Sequence, residues 1–400
     1  MGKPPLLYLV HRIPYPPNKG DKVRSFHILK ELAAHFEVHL GTFVDLEEDW
    51  AHVPTLDTWC ASVHALGLAP SRARLASLSG LLTGEALSVP YYRNADMARW
   101  VRETVAREGI GRAVVFSGAM AQYLADVPVE RTFIDFCDVD SAKWTQYADS
   151  RRWPMSWLYR REGRRLAQFE QRMAARADHV SFVTQAECDI FLRDAPAFGD
   201  KVIAVENGVD TAFFAPEHGG ESPYDGTGPH LAFTGAMDYW PNVDAACWFA
   251  ESVFPRVKAR FPGASFHVVG MNPAPAVNAL TTIDRVHVTG RVPDVRPYIH
   301  HADVVVAPLR VARGIQNKVL EAMAMARPVV MSQACATGLR GEPGVSFGVA
   351  ETTEDYVDAI EASLSDDGIG PRARRVVEQA YAWPAHLAAI SNRLLTGCAS

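Results

Sequence analysis

The sequence predicts an α/β protein made of two doubly wound halves, each a parallel sheet covered by helices. Three observations predict it. The chain has 400 residues, more than one ordinary core takes up. Short apolar runs alternate with helix-period segments along its whole length. The alternation is broken by EHGGESPYDGTG at 217–228, a Gly-, Ser- and Pro-rich linker candidate. Two such halves imply a ligand cleft between them, at the carboxyl ends of the strands.

In the first half, strands are expected at Leu6–Val10, Val38–Phe43, Ala113–Phe116, Thr132–Asp135 and His179–Val183. Between the first two, Val23, Phe26, Leu29, Leu32, Ala33 and Phe36 recur every three or four residues, the period of one helix face. The segment Ala142–Ala177 reads as helical, interrupted or restarted at Pro154. After the linker come strand His230–Thr234, helix Val243–Arg260 and strands Ser265–Val269, Arg285–Thr289 and Asp303–Ala307. Helix Asn317–Ala326 and strand Pro328–Met331 follow. The expected domains are 1–212 and 213–380, with a terminal segment 381–400.

Composition narrows the function. Apolar residues make up 48% and charged residues 22%, as in a globular protein, and the net charge of −6 gives no reason to expect nucleic acid. The six cysteines lie far apart without a CxxC pair, which argues against a zinc site or a disulfide scaffold and fits a reducing compartment. No stretch approaches the roughly 20 apolar residues of a membrane helix. The opening MGKPPLLYLVHRIPYPP has too short an apolar run for a secretory signal and reads as a first strand, so a cytoplasmic protein is expected. His300 and His301 are adjacent and make a poor metal pair. The chain lacks a Gly-x-Ser-x-Gly elbow and a GxGxxG after its first strand, which weakens hydrolase and dehydrogenase readings.

The segment most able to carry chemistry is RVARGIQNKVLEAMAMARPVV, Arg310–Val330. A strand ends at Pro308, a loop with Gly314 follows, and a helix opens near Asn317. The first turn of a helix leaves amides unpaired and carries partial positive charge. Gly314 permits close backbone approach, and Lys318 adds a point charge, so Gly314, Ile315, Gln316, Asn317 and Lys318 are expected to hold a phosphate. Glu321 shares a helix face with Asn317 and Lys318 and can accept hydrogen bonds from ribose hydroxyls. A glutamate near a helix N-terminus is also common without any ligand.

Three further stretches stand out. HRIPYPPNKGD, His11–Asp21, places Gly20 between the first strand and the first long helix, with Lys19, Lys22 and Arg24 raising the local charge. TFIDFCDVDSAKW puts Asp135, Asp138 and Asp140 just after a strand, where carboxylates can bind acceptor hydroxyls, act as a base, coordinate magnesium or cap the next helix. Capping is the first expectation for Asp140. Arg151–Arg176 holds eight arginines against Glu162 and Glu170, with Trp153, Trp157 and Tyr159 at its start. That pattern suits an anionic membrane surface, and equally a solvated helix face over a core.

Several of these strings together resemble the retaining glycosyltransferases of family 4, which have the GT-B fold of two facing Rossmann-like domains. The resemblance is carried by KVLEAMAMARPVV, by HVTGRVPDVRPYIHHADVVVAPL at His287–Leu309, and by ENGVD at Glu206–Asp210, similar to the family's hinge. It also rests on Ala177–Val183 with Glu187, and on GAMDYWPNVD at Gly235–Asp244. The nearest likeness is to sugar transferases of exosortase/PEP-CTERM exopolysaccharide systems. The resemblance implies a UDP- or GDP-sugar donor in the second domain, transfer with retention, and no required metal or cofactor. It implies a saccharide or polyprenyl-linked glycan acceptor, for which the stretch Arg151–Arg176 offers an expected peripheral contact at the inner face of the membrane. It places the base near Arg291 and Val292, the diphosphate near Gly235 and Gly314–Lys318, the ribose on Glu321, and Gly20 at donor or acceptor. Asp138 is expected either to face the acceptor or to serve the following helix, and the helix Trp383–Leu395 is expected to cross back to the first domain.

The departures are specific. The family carries two glutamates seven residues apart; Glu321 matches the second, and Arg313 stands at the first. Its donor-phosphate arginine and lysine correspond here to Ala236 and Pro241. Arg313 and Lys318 are the cations available to replace them. A non-catalytic scaffold of a polysaccharide machine and a nucleotide-sugar epimerase are the alternative readings.

Overall fold

The computed structural model describes residues 2–17, 19–149, 152–312 and 315–395. The chain divides into two compact units, residues 1–207 with 386–400, and residues 208–385.

The first unit is built on a seven-stranded sheet in the order β3-β2-β1-β4-β5-β6-β7. Its strands are β1 (Pro5–Val10), β2 (Glu37–Val44), β3 (Ser62–Gly67), β4 (Arg112–Phe116), β5 (Arg131–Cys137), β6 (His179–Phe182) and β7 (Val202–Ala204). Every pairing is parallel, with Leu7 beside both His39 and Ala113 in the central register. Strands Leu6–Val10 and Ala113–Phe116 are buried on both faces, which is why they read as unbroken apolar runs rather than alternating ones.

The helices follow from local sequence. In helix Ala95–Glu108 the Asn94 side chain accepts from the amides of Asp96 and Met97, and Gly109 ends the helix at φ 63°. Its buried Met97, Val101, Thr104 and Val105 lie on one face. The expected helical stretch 142–177 is two helices, Asp140–Asp149 and Met155–Arg176, with Pro154 at the restart. They pack closely because residue 163 is glycine; a Cβ there would stand 2.9 Å from the Ser141 carbonyl oxygen. The C-terminal helix Trp383–Leu395 belongs to this unit from His386 onward. Arg112 Nε donates to the Leu394 carbonyl, Arg131 Nη1 to that of Arg393, and Ser391 Oγ to Glu31.

The second unit holds a six-stranded parallel sheet ordered β10-β9-β8-β11-β12-β13. Its strands are β8 (His230–Thr234), β9 (Ser265–Val269), β10 (Val286–Gly290), β11 (Val304–Ala307), β12 (Val329–Ser332) and β13 (Gly348–Ala350). The stretch 217–228, read as a linker, lies inside this unit: buried Tyr224 stacks on His230 and packs on His267. The expected helix 243–260 starts earlier, at Trp240, and carries a π turn at Phe249–Val253 just before Pro255, which supplies no amide hydrogen. Gly208 abuts the far end of the unit, where a Cβ would lie 2.8 Å from the Tyr381 carbonyl and the Trp383 amide nitrogen.

Each sheet reverses its winding at one place, between β1 and β4 and between β8 and β11. Ligands of doubly wound sheets bind at the carboxyl ends of the strands beside such a reversal.

Candidate functional site

In the second unit, the reversal is framed by the turn after β8 and by the helix after β11. Gly235 follows β8. A Cβ there would stand 2.8 Å from Asn242 Nδ2 and 2.9 Å from Lys318 Nζ, so only glycine leaves room for both. Asn242 sits in the first turn of helix Trp240–Trp248 and bridges two groups: Nδ2 donates to the Ala236 carbonyl at 2.9 Å, and Oδ1 accepts from Lys318 Nζ at 2.6 Å. The same ammonium lies 4.3 Å from the centroid of the Phe233 ring, a cation–π contact. The structure thus brings Lys318 onto the turn after β8, which itself carries Ala236 and Pro241.

Helix Asn317–Ala324 buries Val319, Leu320, Ala322, Met323 and Ala324, which fixes which way its polar residues face. Gln316 is its N-cap residue, with no side-chain cap hydrogen bond among the described residues. Glu321 lies one turn after Lys318 and, among the described residues, accepts no side-chain hydrogen bond. Burial raises its pKa to about 7, with Lys318 acting the other way. Burial likewise lowers Lys318 to about 8, with Cys335 and Glu321 opposing. A half-buried carboxyl and a half-buried ammonium, the latter held by Asn242, sit at the carboxyl edge of the sheet. Shifted titratable groups at such an edge make it a candidate ligand site.

The other expected residues are less closely gathered. Ile315, Gln316 and Asn317 lie where expected, leading into the helix. Arg313 and Gly314 lie outside the described residues. Arg291 is exposed and Val292 half-buried at the carboxyl end of β10, the edge strand, two strands from β8.

The first unit gathers a polar cluster at its own reversal. His11, at the end of β1, stacks on Phe116 and meets Tyr92 edge-on. Its Nε2 is 3.5 Å from Asp21, which also takes Arg12 at 2.6 Å. Burial would raise the Asp21 carboxyl, but His11 and Arg12 outweigh it and hold its pKa well below the usual range. Asp138 pairs with Lys143 at 2.7 Å and Asp140 with the same ammonium at 3.3 Å; burial nonetheless raises Asp140. Two carboxylates on neighbouring helices hold this loop. Glu187 takes the Val139 amide at 2.6 Å, and Glu170 takes the Ser141 amide at 3.2 Å and its hydroxyl at 2.6 Å. Among the described residues no group of three or more His, Cys, Asp or Glu side chains is gathered that could hold a metal.

Three expectations are corrected here. Asp140 is not the N-cap: it opens the helix and faces Lys143, while Glu170 serves the first turn. Asp135 is fully buried and bound to Arg24 Nε at 2.8 Å, not open to a ligand. Lys22 and Arg24 do not charge the Gly20 loop, since each is buried against its own carboxylate, Asp49 and Asp135. Gly20 is the first residue of helix Gly20–His35, and a Cβ there would meet nothing, so neither crowding nor backbone geometry requires glycine.

Comparison with known proteins agrees with this architecture. The family model described as glycosyl transferases group 1 matches residues 228–366, which span the sheet of the second unit. Solved structures match over the whole chain. The Anabaena protein Alr3699/HepE, in complex with UDP, superposes with a TM-score of 0.60 at 16% identity, covering 98% of this chain and 99% of that one. Sucrose-phosphate synthase from Thermosynechococcus elongatus gives 0.62 at 16%, covering 98% of both chains. A glycosyltransferase from Rickettsia africae gives 0.63 at 12%, covering 99% and 100%. No curated protein matches the sequence.

The chain has the GT-B fold.

Within that fold, residues beyond those read from the sequence line the two edges. Asn242 was missed, although it follows Pro241 directly in the segment that the sequence singled out. Tyr239 and Trp240, both 61% exposed, flank the same turn. His11, Lys143, Glu170 and Glu187 were also missed as a set, because their convergence is a property of tertiary packing and no spacing in the sequence announces it.

Proposed function

We propose that the protein is a glycosyltransferase that moves a sugar from a nucleoside diphosphate sugar to a hydroxyl of a saccharide or polyprenyl-linked glycan, in exopolysaccharide assembly. The observation that carries this reading is the seating of Lys318 Nζ against Gly235 and Asn242. It supplies a cation beside the turn after β8, next to a helix start and a carboxylate suited to ribose. In the reaction the bond from the sugar anomeric carbon to the β-phosphate oxygen breaks, and a bond to the acceptor oxygen forms. The acceptor loses its proton, and the nucleoside diphosphate leaves. Lys318, with Arg313, and the amides of 314–318 stabilise the charge that develops on the leaving diphosphate. Glu321 takes the ribose hydroxyls, Arg291 and Val292 border the base, and Gly235 admits the phosphate. Asp138 stands at the acceptor edge of the first unit. Family resemblance supports retention of configuration, and the UDP and UDP-glucose complexes of HepE support a uridine donor.

The test is calorimetric titration of UDP and GDP and their glucose conjugates into wild-type protein and Lys318→Ala. A charge-assisted hydrogen bond contributes about 1.5–3 kcal/mol, so the variant should bind ten- to a hundredfold more weakly. Unchanged binding in Lys318→Ala would remove the lysine from the site and the reading with it. Incubating the sugar nucleotide without acceptor separates transfer from epimerisation, since only an epimerase interconverts it.

A further inference from the structure

We propose that the first unit docks on an anionic membrane surface through a face shared by helices Pro70–Ser77 and Ser79–Thr83 and the start of helix Met155–Arg176. Large apolar side chains stand in water on both sides of this face: Leu75 is 72% exposed, Leu82 93%, Trp153 81% and Trp157 53%. Leu78 and Leu81 are exposed beside them. The two sides adjoin. Arg161 Nη2 donates to the Gly80 carbonyl at 2.5 Å, and Glu162 takes the amides of Leu87 and Ser88 at 2.7 and 2.9 Å. Trp157 lies one turn before Arg161 on the same helix face, so it borders the leucine-bearing turn.

Charge selects the occupant. The stretch 70–84 carries Arg72 and Arg74 and no acid. The stretch 152–165 carries five arginines, and its one acid, Glu162, is buried and already holds backbone amides. The whole chain has a net charge of −6, so cations are concentrated here against the overall balance. A second copy seated on this face would set like charges against like, which disfavours it. A bilayer with anionic headgroups takes both the arginines and the leucine and tryptophan side chains.

The placement also has a use, which rests on the transferase reading above. Helix Met155–Arg176 leads into β6, and its Glu170 is level with Ser141 at the carboxyl edge of β5. The part of the helix before Glu170 therefore projects past that edge. Trp157 is about 20 Å along the helix from Glu170. A glycan whose lipid sits in the bilayer would reach Asp138 and Asp140 from the docked face.

The experiment is co-sedimentation of the full chain with phosphatidylcholine vesicles, with and without phosphatidylglycerol. Two variants are compared, Leu82→Ser/Trp157→Ser and Arg74→Glu/Arg152→Glu/Arg164→Glu. Wild type should pellet with the anionic vesicles only. Each lost arginine should weaken binding roughly fivefold, so the triple variant falls at least a hundredfold; the apolar variant should also leave the pellet. UDP-glucose affinity, measured on the same preparations, should be unchanged in both variants, which shows that they are folded. The proposal is overturned if wild type stays in solution, if it binds neutral vesicles equally, or if neither variant loses binding. It is also overturned if vesicle-free protein sediments as a dimer that Leu82→Ser/Trp157→Ser dissociates. Pelleting without any nucleotide binding would leave docking standing and remove the transferase reading; nucleotide binding without pelleting would do the reverse.

Discussion

Replacing Glu321 by glutamine should make the protein more stable and a poorer binder of donor at the same time. The structure places this carboxyl where burial lifts its pKa to about 7. In the unfolded chain the group titrates at its ordinary value near 4.5. Between those two values the native state holds a proton that the unfolded state has released, so native stability falls as pH rises. The full stability is present below about 4.5 and is lost progressively up to about 7. At 1.36 kcal/mol for each pH unit, the interval amounts to about 3 kcal/mol. Glutamine has no proton to lose. Its advantage over wild type should therefore be absent near pH 4.5 and largest at pH 7 and above. About 3 kcal/mol is a ceiling, because Lys318 attracts the ionised carboxylate and loses that partner in the variant. For a unit of this size each kcal/mol is worth about 2–4 °C, so a gain of several degrees is expected in a thermal melt at pH 8. Over the same range, UDP-glucose affinity of the variant should drop more than tenfold, since a neutral amide replaces a charged acceptor of two hydroxyl bonds. UDP-glucose is the probe of choice because its diester phosphates do not titrate there. A variant less stable than wild type at pH 8, with donor affinity intact, would show that Glu321 is a structural carboxylate and would refute the reasoning.

Four further outcomes are expected. Wild-type affinity for UDP-glucose should rise as pH climbs to about 7, where Glu321 ionises, and fall above about 8, where Lys318 loses its proton; a titration series at constant ionic strength shows whether the profile is a bell. Asn242→Ala removes the acceptor that holds Lys318 and should weaken donor binding five- to tenfold while leaving the fold intact by circular dichroism. Gly235→Ala forces a Cβ against Asn242 and Lys318, and should cost donor affinity more than Gly20→Ala, whose site is open; equal effects from the two would contradict the packing. Glu170→Ala leaves the Ser141 amide and hydroxyl without their acceptor and should destabilise the first unit by about 1–3 kcal/mol, read from urea melts.

What could be read from the sequence was decided by how much of each feature is local. Strands His230–Thr234 and Ser265–Val269 were predicted to the residue because they are buried on both faces and bounded by turn residues. The missed strands lack that signature. Ser62–Gly67 is an edge strand, half-buried and containing a histidine, and Val202–Ala204 and Gly348–Ala350 are three residues each, too short for a period to show. The helix carrying Glu321 was legible because its apolar face, Val319, Leu320 and Met323, and its polar Asn317, Lys318 and Glu321 all fall within about two turns of chain. The role of Lys22 and Arg24 was not legible. Their partners, Asp49 and Asp135, are 27 and 111 residues away, and only folding reveals that these cations are buried in pairs rather than offered to the loop.

The same distinction explains Lys318. Its charge was visible, but its destination was not. A lysine at the second position of a helix points toward whatever the neighbouring strand presents, and here that is a glycine followed, seven residues later, by an asparagine. Lys318 places positive charge at the corner of the sheet beside the turn after β8. It also sets that charge one helical turn from Glu321, on the one element whose buried face, Val319, Leu320 and Met323, fixes its rotation. A cation held this way is desolvated before any ligand arrives, as its lowered pKa records. On the reading proposed above, a diphosphate entering this corner would meet an ammonium already held in place by Asn242.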